Sequence, residues 1–125
     1  MAASILVVDD EPNIVLSLVF LLKQAGYRVR MVSNGEAALA AIAAEPPDLV
    51  LLDVMIPGRD GYAVCQAIRA NPAWQGVRVL MLTAKGSEIQ REKGLSLGAD
   101  DYITKPFSTR ELVGRIRRML GSSQA

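Results

Sequence analysis

The stretch Ile5–Pro12, ILVVDDEP, decides the fold. Four consecutive apolar residues, Ile5 to Val8, read as a strand covered on both faces, the pattern of a central strand in a parallel sheet. They run directly into Asp9 and Asp10, and then into Glu11. Carboxylates are costly to bury without compensation, so a core strand that ends on two of them must deliver them to a place where something else meets them. Pro12 suits the first turn of a helix, which makes the whole stretch a strand-to-helix junction carrying acids at its corner.

Working outward, the same alternation recurs along the chain. Strand candidates are Ile5–Val8, Tyr27–Val32, Leu49–Leu52, Val77–Leu82 and Tyr102–Thr104. The first, third and fourth are nearly continuous Val/Leu/Ile/Met runs and belong at the centre of a sheet. The second alternates apolar and charged residues (Tyr27, Arg28, Val29, Arg30, Met31), which suits an edge. Between them lie helical patterns. Ile14, Val15, Leu18, Leu21, Leu22 and Ala25 keep helical spacing, with Gly26 as a C-cap candidate. Ser33 and Glu36 have capping-box spacing ahead of an Ala-rich helix that ends at Pro46-Pro47. GYAVCQAIRANP, from Gly61 to Pro72, supplies a third helix. A fourth, around Ser87 to Leu97, has only a weak apolar stripe and is expected to be the least firmly packed. The fifth opens with Ser108 and Glu111 in capping-box spacing and is expected to bury Leu112, Val113, Ile116, Met119 and Leu120 before Gly121. Strands alternating with helices imply right-handed crossovers and a parallel sheet with helices on both faces. The predicted fold class is α/β: a flavodoxin-like, doubly wound, five-stranded parallel sheet of order 2-1-3-4-5 with five helices. Residues 1–120 are expected to form this one domain, and 121–125 a short polar tail or the start of a linker.

Composition narrows the chemistry. The chain has 125 residues and a net charge of +1, so neither nucleic acid nor a membrane surface is expected to be held by bulk charge. No apolar run reaches the roughly 18 residues of a membrane span. Met1–Ser4 lacks the charged region and apolar stretch of a secretory signal, and the single cysteine, Cys65, fits a reducing cytoplasm. There is no histidine, which removes imidazole acid–base chemistry and most transition-metal sites.

The polar residues collect at one edge of this frame. Asp9 and Asp10 follow the first strand, Asp53 the third, Thr83 ends the fourth and Lys105 follows the fifth. All lie at carboxyl ends of parallel strands, where open α/β sheets bind ligands. Two like charges about 4 Å apart repel by roughly 4 kcal/mol at an effective dielectric near 20, so grouped carboxylates need a proton or a cation. An all-oxygen donor set with room for water suits Mg²⁺, and without histidine zinc is disfavoured. Both aspartates of the first strand are expected at the rim of the crevice, with Glu11 facing solvent.

ILVVDDEP, DLVLLDVMIPGRDGY, VLMLTAK and GADDYITKPFS, in this order and spacing, resemble the receiver (phosphoacceptor) domain of two-component response regulators. The resemblance covers Ser4 to Leu120 and is closest in pattern to receivers of the winged-helix transcription-factor branch. It implies that Asp53 attacks the phosphorus of a phosphohistidine, presented by a sensor histidine kinase or phosphotransfer protein, and becomes an acyl phosphate. It implies Mg²⁺ bound by Asp10, Asp53 and the backbone carbonyl of Met55, with Asp9 acting through water. Thr83, the amide of Ala84 and Lys105 would hold the phosphoryl oxygens. Pro106 would follow a cis peptide bond, and Tyr102 would turn inward as Thr83 moves, a packed edge-strand tyrosine being its other reading. The helix 4, strand 5 and helix 5 face would then switch.

Two further expectations attach to this family pattern. Met55 and Lys85, two residues beyond Asp53 and Thr83, cannot orient an attacking water as polar side chains there do, which implies slow self-dephosphorylation. Arg91, Asp100, Asp101, Glu111, Arg115 and Arg118 match a face on which such receivers dimerise, although Ser96 stands where many members carry an acid; a solvated mixed-charge face is the other reading. Competing functions are a Mg²⁺-dependent phosphohydrolase with an aspartyl nucleophile, disfavoured by the adjacent Asp9-Asp10 in place of D-x-D, and a non-phosphorylated interaction module, which would have lost site residues.

Overall fold

The computed structural model describes residues 3–56, 60–83 and 88–121, with side chains described for all of these except Thr83 and residues 88–91. The chain alternates β1 (Ser4–Val8), α1 (Pro12–Gln24), β2 (Arg28–Val32), α2 (Gly35–Ala44), β3 (Leu49–Asp53), α3 (Gly61–Ala70), β4 (Arg78–Thr83), α4 (Glu88–Ser96), β5 (Asp101–Thr104) and α5 (Thr109–Leu120), with a 3-10 turn at Pro72–Trp74. The sheet order is β2-β1-β3-β4-β5, and every pairing is parallel. The chain winds outward in both directions from the gap between β1 and β3, so their carboxyl ends border the crevice of a doubly wound sheet.

The continuous apolar strands are buried on both faces, as their composition requires. Ile5, Leu6, Val7, Val8 and Leu49 to Leu52 have no exposed surface. Leu6, Val8, Val50, Leu52, Val79 and Met81 pack with Ala38 and Ile42 of α2 and Val64, Cys65 and Ile68 of α3. On the other face, Ile5, Val7, Leu51, Leu80 and Leu82 pack with Leu18 and Leu22 of α1 and Leu112 and Ile116 of α5. Each such side chain contributes about 1.5–3 kcal/mol relative to exposure.

Several local expectations are corrected. α2 is capped by Asn34, whose side chain accepts from the Ala37 amide at 2.8 Å, one residue beyond Ser33. The helix therefore starts at Gly35, and Ser33–Glu36 is not a capping box. β2 starts at Arg28, because the Tyr27 amide closes back onto Leu22 O at 3.1 Å. Its inside–outside alternation is not the simple one: Met31 is exposed, while Arg30 is half-buried and donates to the carbonyls of Ala41 and Glu45. Arg30 thereby satisfies carbonyls at the end of α2, a helix with no basic residue in its own last turn. The α5 cap is as the spacing requires, with Ser108 Oγ accepting from the Glu111 amide at 3.0 Å.

Candidate functional site

Parallel pairing carries the acids to one corner. The ladder extends through Asp53↔Leu82 and Thr83↔Thr104, so Asp53 and Thr83 are the last residues of β3 and β4. Asp9 follows β1 directly, its amide bonded to Val32 O at 3.2 Å. Carboxylate oxygens of Asp9, Asp10 and Asp53 lie within 4.8 Å of one another. Lys105, just past β5, reaches across to them: its Nζ is 3.0 Å from Asp53 Oδ2 and 3.5 Å from Asp9 Oδ2.

Burial divides the three acids. Asp10 is exposed, whereas the Asp53 side chain keeps 8% of its surface and that of Asp9 none. The expectation that both acids of β1 sit at the rim therefore fails for Asp9. Its side chain turns inward because Oδ1 accepts from the Glu11 amide at 3.0 Å, an Asx turn at the corner between β1 and α1. Asp9 Oδ2 is buried and has no hydrogen-bond partner among the described residues. Desolvation raises the Asp9 pKa, the Glu11 amide opposes this, and the Asp53 charge reinforces it. For Lys105, burial alone would lower the pKa, but the hydrogen bond and charge of Asp53 and the charge of Asp9 outweigh it and hold the ammonium above its ordinary range.

The approach of α3 to this corner depends on Gly61. Its amide donates to Val54 O at 3.1 Å, and a Cβ there would lie 2.5 Å from Asp53 O and 2.8 Å from Val54 Cα. Both are backbone atoms of the segment that carries the acid, so neither can yield cheaply. Gly61→Ala is expected to lower stability by about 2–4 kcal/mol, measured as the urea midpoint at constant m-value. A loss below about 0.5 kcal/mol would show that β3 and α3 have room to separate.

The other sequence-selected residues are placed as follows. Met55 is exposed, and its amide donates to Asp53 Oδ1 at 3.0 Å. The Lys105–Pro106 bond is cis. Tyr102 is half-buried beneath Arg115, whose guanidinium carbon lies 5.8 Å from the ring centroid. Arg115 also bonds Asp101 at 3.0 Å and pairs with Glu111 at 3.6 Å, while Arg118 is exposed. Asp100 does not join this group. Its carboxylate is held by Arg69 of α3 at 2.6 Å and by the Val79 amide at 2.8 Å. Ala84, Lys85 and the side chains of Thr83 and Arg91 lie outside the described residues.

Two features were not singled out from the sequence. One is Arg69, which nothing in its helical spacing distinguishes from a solvated basic residue. The other is an apolar groove lined by Pro12, Val15, Leu16 and Met31 that opens onto Asp9 and Asp10. Its signal was available: Leu16 and Phe20 interrupt the polar side of α1, and both are more than 60% exposed.

A flavodoxin-like parallel sheet with three acids and a lysine gathered at its switch point defines a class of phosphoryl-handling α/β domains. The chain belongs to the response regulator receiver domain family, whose model matches residues 5–117, and is thus a receiver domain of two-component signalling. Solved structures agree. A candidate response regulator of Chloroflexus aurantiacus is 39% identical, with 96% of this chain and 98% of that one covered and a TM-score of 0.93. The BeF3-activated N-terminal receiver domain of RstA from Klebsiella pneumoniae is 36% identical over 94% of this chain and 97% of that one, TM-score 0.87. The receiver domain of sensor histidine kinase PA1611 from Pseudomonas aeruginosa, which has magnesium coordinated in its active-site cleft, is 33% identical over 97% and 99% of the two chains, TM-score 0.89.

Proposed function

We propose that Asp53 is the phosphoacceptor of this receiver. A carboxylate oxygen of Asp53 attacks the phosphorus of a phosphohistidine on a histidine kinase or phosphotransfer protein. The P–N bond breaks, the imidazole leaves with the electron pair, and an acyl phosphate forms on Asp53. The observation that carries this reading is the position of Asp53: last residue of a central strand, nearly buried, with Lys105 Nζ 3.0 Å from Oδ2. That ammonium is placed to meet the charge that arrives with the phosphoryl group.

The donor set fits Mg²⁺. It is all oxygen, and it includes a buried Asp9 Oδ2 that has no hydrogen bond among the described residues, only the Lys105 ammonium at 3.5 Å, beside a second carboxylate. Asp10, Asp53 and the Met55 carbonyl would hold the ion, with Asp9 through water. When bound, it would neutralise the carboxylates and the incoming phosphoryl oxygens. Thr83 and the Ala84 amide are assigned to the phosphoryl oxygens, and Tyr102 to the switch that follows. The receiver acts on its own acyl phosphate and is not a turnover enzyme. Residues 1–120 form the functional unit, with 121–125 a short polar tail or the start of a linker, and the setting is the cytoplasm. Among the described residues no helix is long and apolar enough to cross a membrane. A phosphorylation-dependent homodimer would use Asp101, Glu111, Arg115 and Arg118, with Arg91; Asp100 is committed to Arg69.

Incubation with acetyl phosphate and Mg²⁺, read by intact mass, tests the reading. One added phosphoryl group, absent in EDTA, is expected; no uptake at any Mg²⁺ concentration would reject it. We assign the docking of the protein donor to the groove beside Asp9 and Asp10, where Leu16, Phe20 and Met31 expose apolar surface. Leu16→Ser with Phe20→Ser is expected to slow transfer from a phosphorylated partner about tenfold or more, while uptake from acetyl phosphate is unchanged. Equal loss from both donors would place the defect in the site and not in docking.

A further inference from the structure

The described half of α4, Glu92–Ser96, and the turn that follows it are held very differently. Among its described residues, Glu92, Lys93, Leu95 and Ser96 are exposed and Gly94 is the buried one, resting on Met81. Lys93 adds a contact over the Tyr62 ring at 4.4 Å, made by a flexible side chain. The turn that follows is fastened. Amides of Leu97, Gly98 and Ala99 bond to the carbonyls of Lys93, Leu95 and Gly94. From α3, Arg69 Nε donates to Gly98 O at 2.8 Å and Nη2 to Asp100 Oδ2 at 2.6 Å, and the same Asp100 oxygen accepts from Val79 N.

Gly98 is required there twice over. Its φ is +110°, and a Cβ would run into Arg69 Cγ, so the arginine stem lies directly over the turn. One helical turn earlier, the Cys65 thiol approaches Leu97 O at 3.8 Å, and burial pushes its pKa up to about 11, which keeps the S–H. The remaining guanidinium nitrogen, Nη1, is buried without a hydrogen-bond partner among the described residues, a cost accepted to hold the fork in place.

We propose that Arg69 is a positioning residue that pins the turn between α4 and β5 to α3, so that α4 responds to phosphorylation as a lever with its fixed end at Gly98. The idea deepens the phosphoacceptor reading and rests on it for the trigger. Among its described residues α4 buries only Gly94 and exposes the other side chains, which makes this half the low-stability part. The clasp, fixed by a two-pronged charged hydrogen bond, is the part that stays.

Amide hydrogen exchange on the full chain tests this in two arms. In the unmodified protein, Arg69→Met is expected to speed exchange at Leu97, Gly98 and Ala99 about tenfold while amides of β1 and β3 keep wild-type rates, with Arg69→Lys intermediate because it keeps the stem and loses the fork. Unchanged rates at residues 97–99, or equal acceleration throughout the chain, would overturn the pin. In wild-type protein with acetyl phosphate and Mg²⁺, exchange is expected to change across residues 88–96 and stay fixed at 97–99. Equal change in both segments would overturn the lever. Gly94→Ala, whose Cβ would meet Met81 Cγ at an ordinary 3.5 Å, is expected to slow exchange in α4 about fivefold by removing a helix-interior glycine; an unchanged rate would mean that the helix body is already held. Uptake of phosphoryl is read by mass in the same samples, so a failed phosphoacceptor reading shows as absent uptake, while the Arg69→Met comparison still decides the clasp.

Discussion

Asp53→Asn is expected to abolish phosphoryl uptake from acetyl phosphate and leave a folded chain. The carboxylates compete for the role on their surroundings. The Asp9 side chain has no exposed surface, and Oδ1 is engaged by the Glu11 amide, so it cannot present an oxygen to an incoming phosphorus. Asp10 is exposed, and no ion pair or hydrogen bond to Lys105 is found for it. Asp53 alone combines residual access with a lysine 3.0 Å from one oxygen and a backbone amide 3.0 Å from the other. The amide substitution keeps an acceptor for Met55 N and deletes the nucleophile. Lys105 retains Asp9 at 3.5 Å, so no buried charge is left without an opposite one, and stability should stay within about 1 kcal/mol of wild type. Intact mass and a urea melt measure the two halves. Uptake above about a tenth of the wild-type level would move the acceptor to another carboxylate.

The sheet was legible because its central strands obey a single rule. A parallel strand covered on both faces must be apolar throughout, and Ile5–Val8, Leu49–Leu52 and Val79–Leu82 are. The acids at their ends then had to converge once the order was set, since register in a parallel sheet brings carboxyl ends to one edge. What sequence spacing could not supply was the direction of each side chain. Asp9 and Asp10 are neighbours on one strand end, and which one turns inward depends on the Asx turn with Glu11, a local bond with no separate spacing signal. Asp100 and Asp101 differ in the same way: adjacent in sequence, they face Arg69 and Arg115 on different helices. At β2 the charged residues suggested solvent on one face, but the long stem of Arg30 lies half-buried and its head serves the carbonyls of α2. At α2, Ser33 and Asn34 are both good caps, and the choice fell to the residue whose side chain reaches the Ala37 amide.

Asp9→Asn is expected to stabilise the metal-free chain by about 1–3 kcal/mol and to remove most of its response to Mg²⁺. The side chain is fully buried, its Oδ2 has no hydrogen bond among the described residues, and burial together with the Asp53 charge disfavours its ionised form. Asparagine keeps the acceptor that the Glu11 amide uses and deletes the charge. The pH dependence follows from the raised pKa. A carboxyl that binds its proton more tightly in the folded chain than in the unfolded one lowers stability as pH rises from the ordinary value near 3.8 through the folded value. The gain from Asp9→Asn should therefore be full above that window and vanish below it, where wild-type Asp9 is already neutral. Mg²⁺ acts in the opposite sense on wild type: at a hundred times its Kd, an ion bound only to the folded state adds about 2.7 kcal/mol. The variant, lacking one of the carboxylates that make the corner electronegative, should show little of that increment. Thermal melts at several pH values with Mg²⁺ or EDTA measure both effects. A variant less stable than wild type in EDTA at neutral pH would mean that the Asp9–Lys105 pair outweighs desolvation, and a full Mg²⁺ shift in the variant would remove Asp9 from the ion's surroundings.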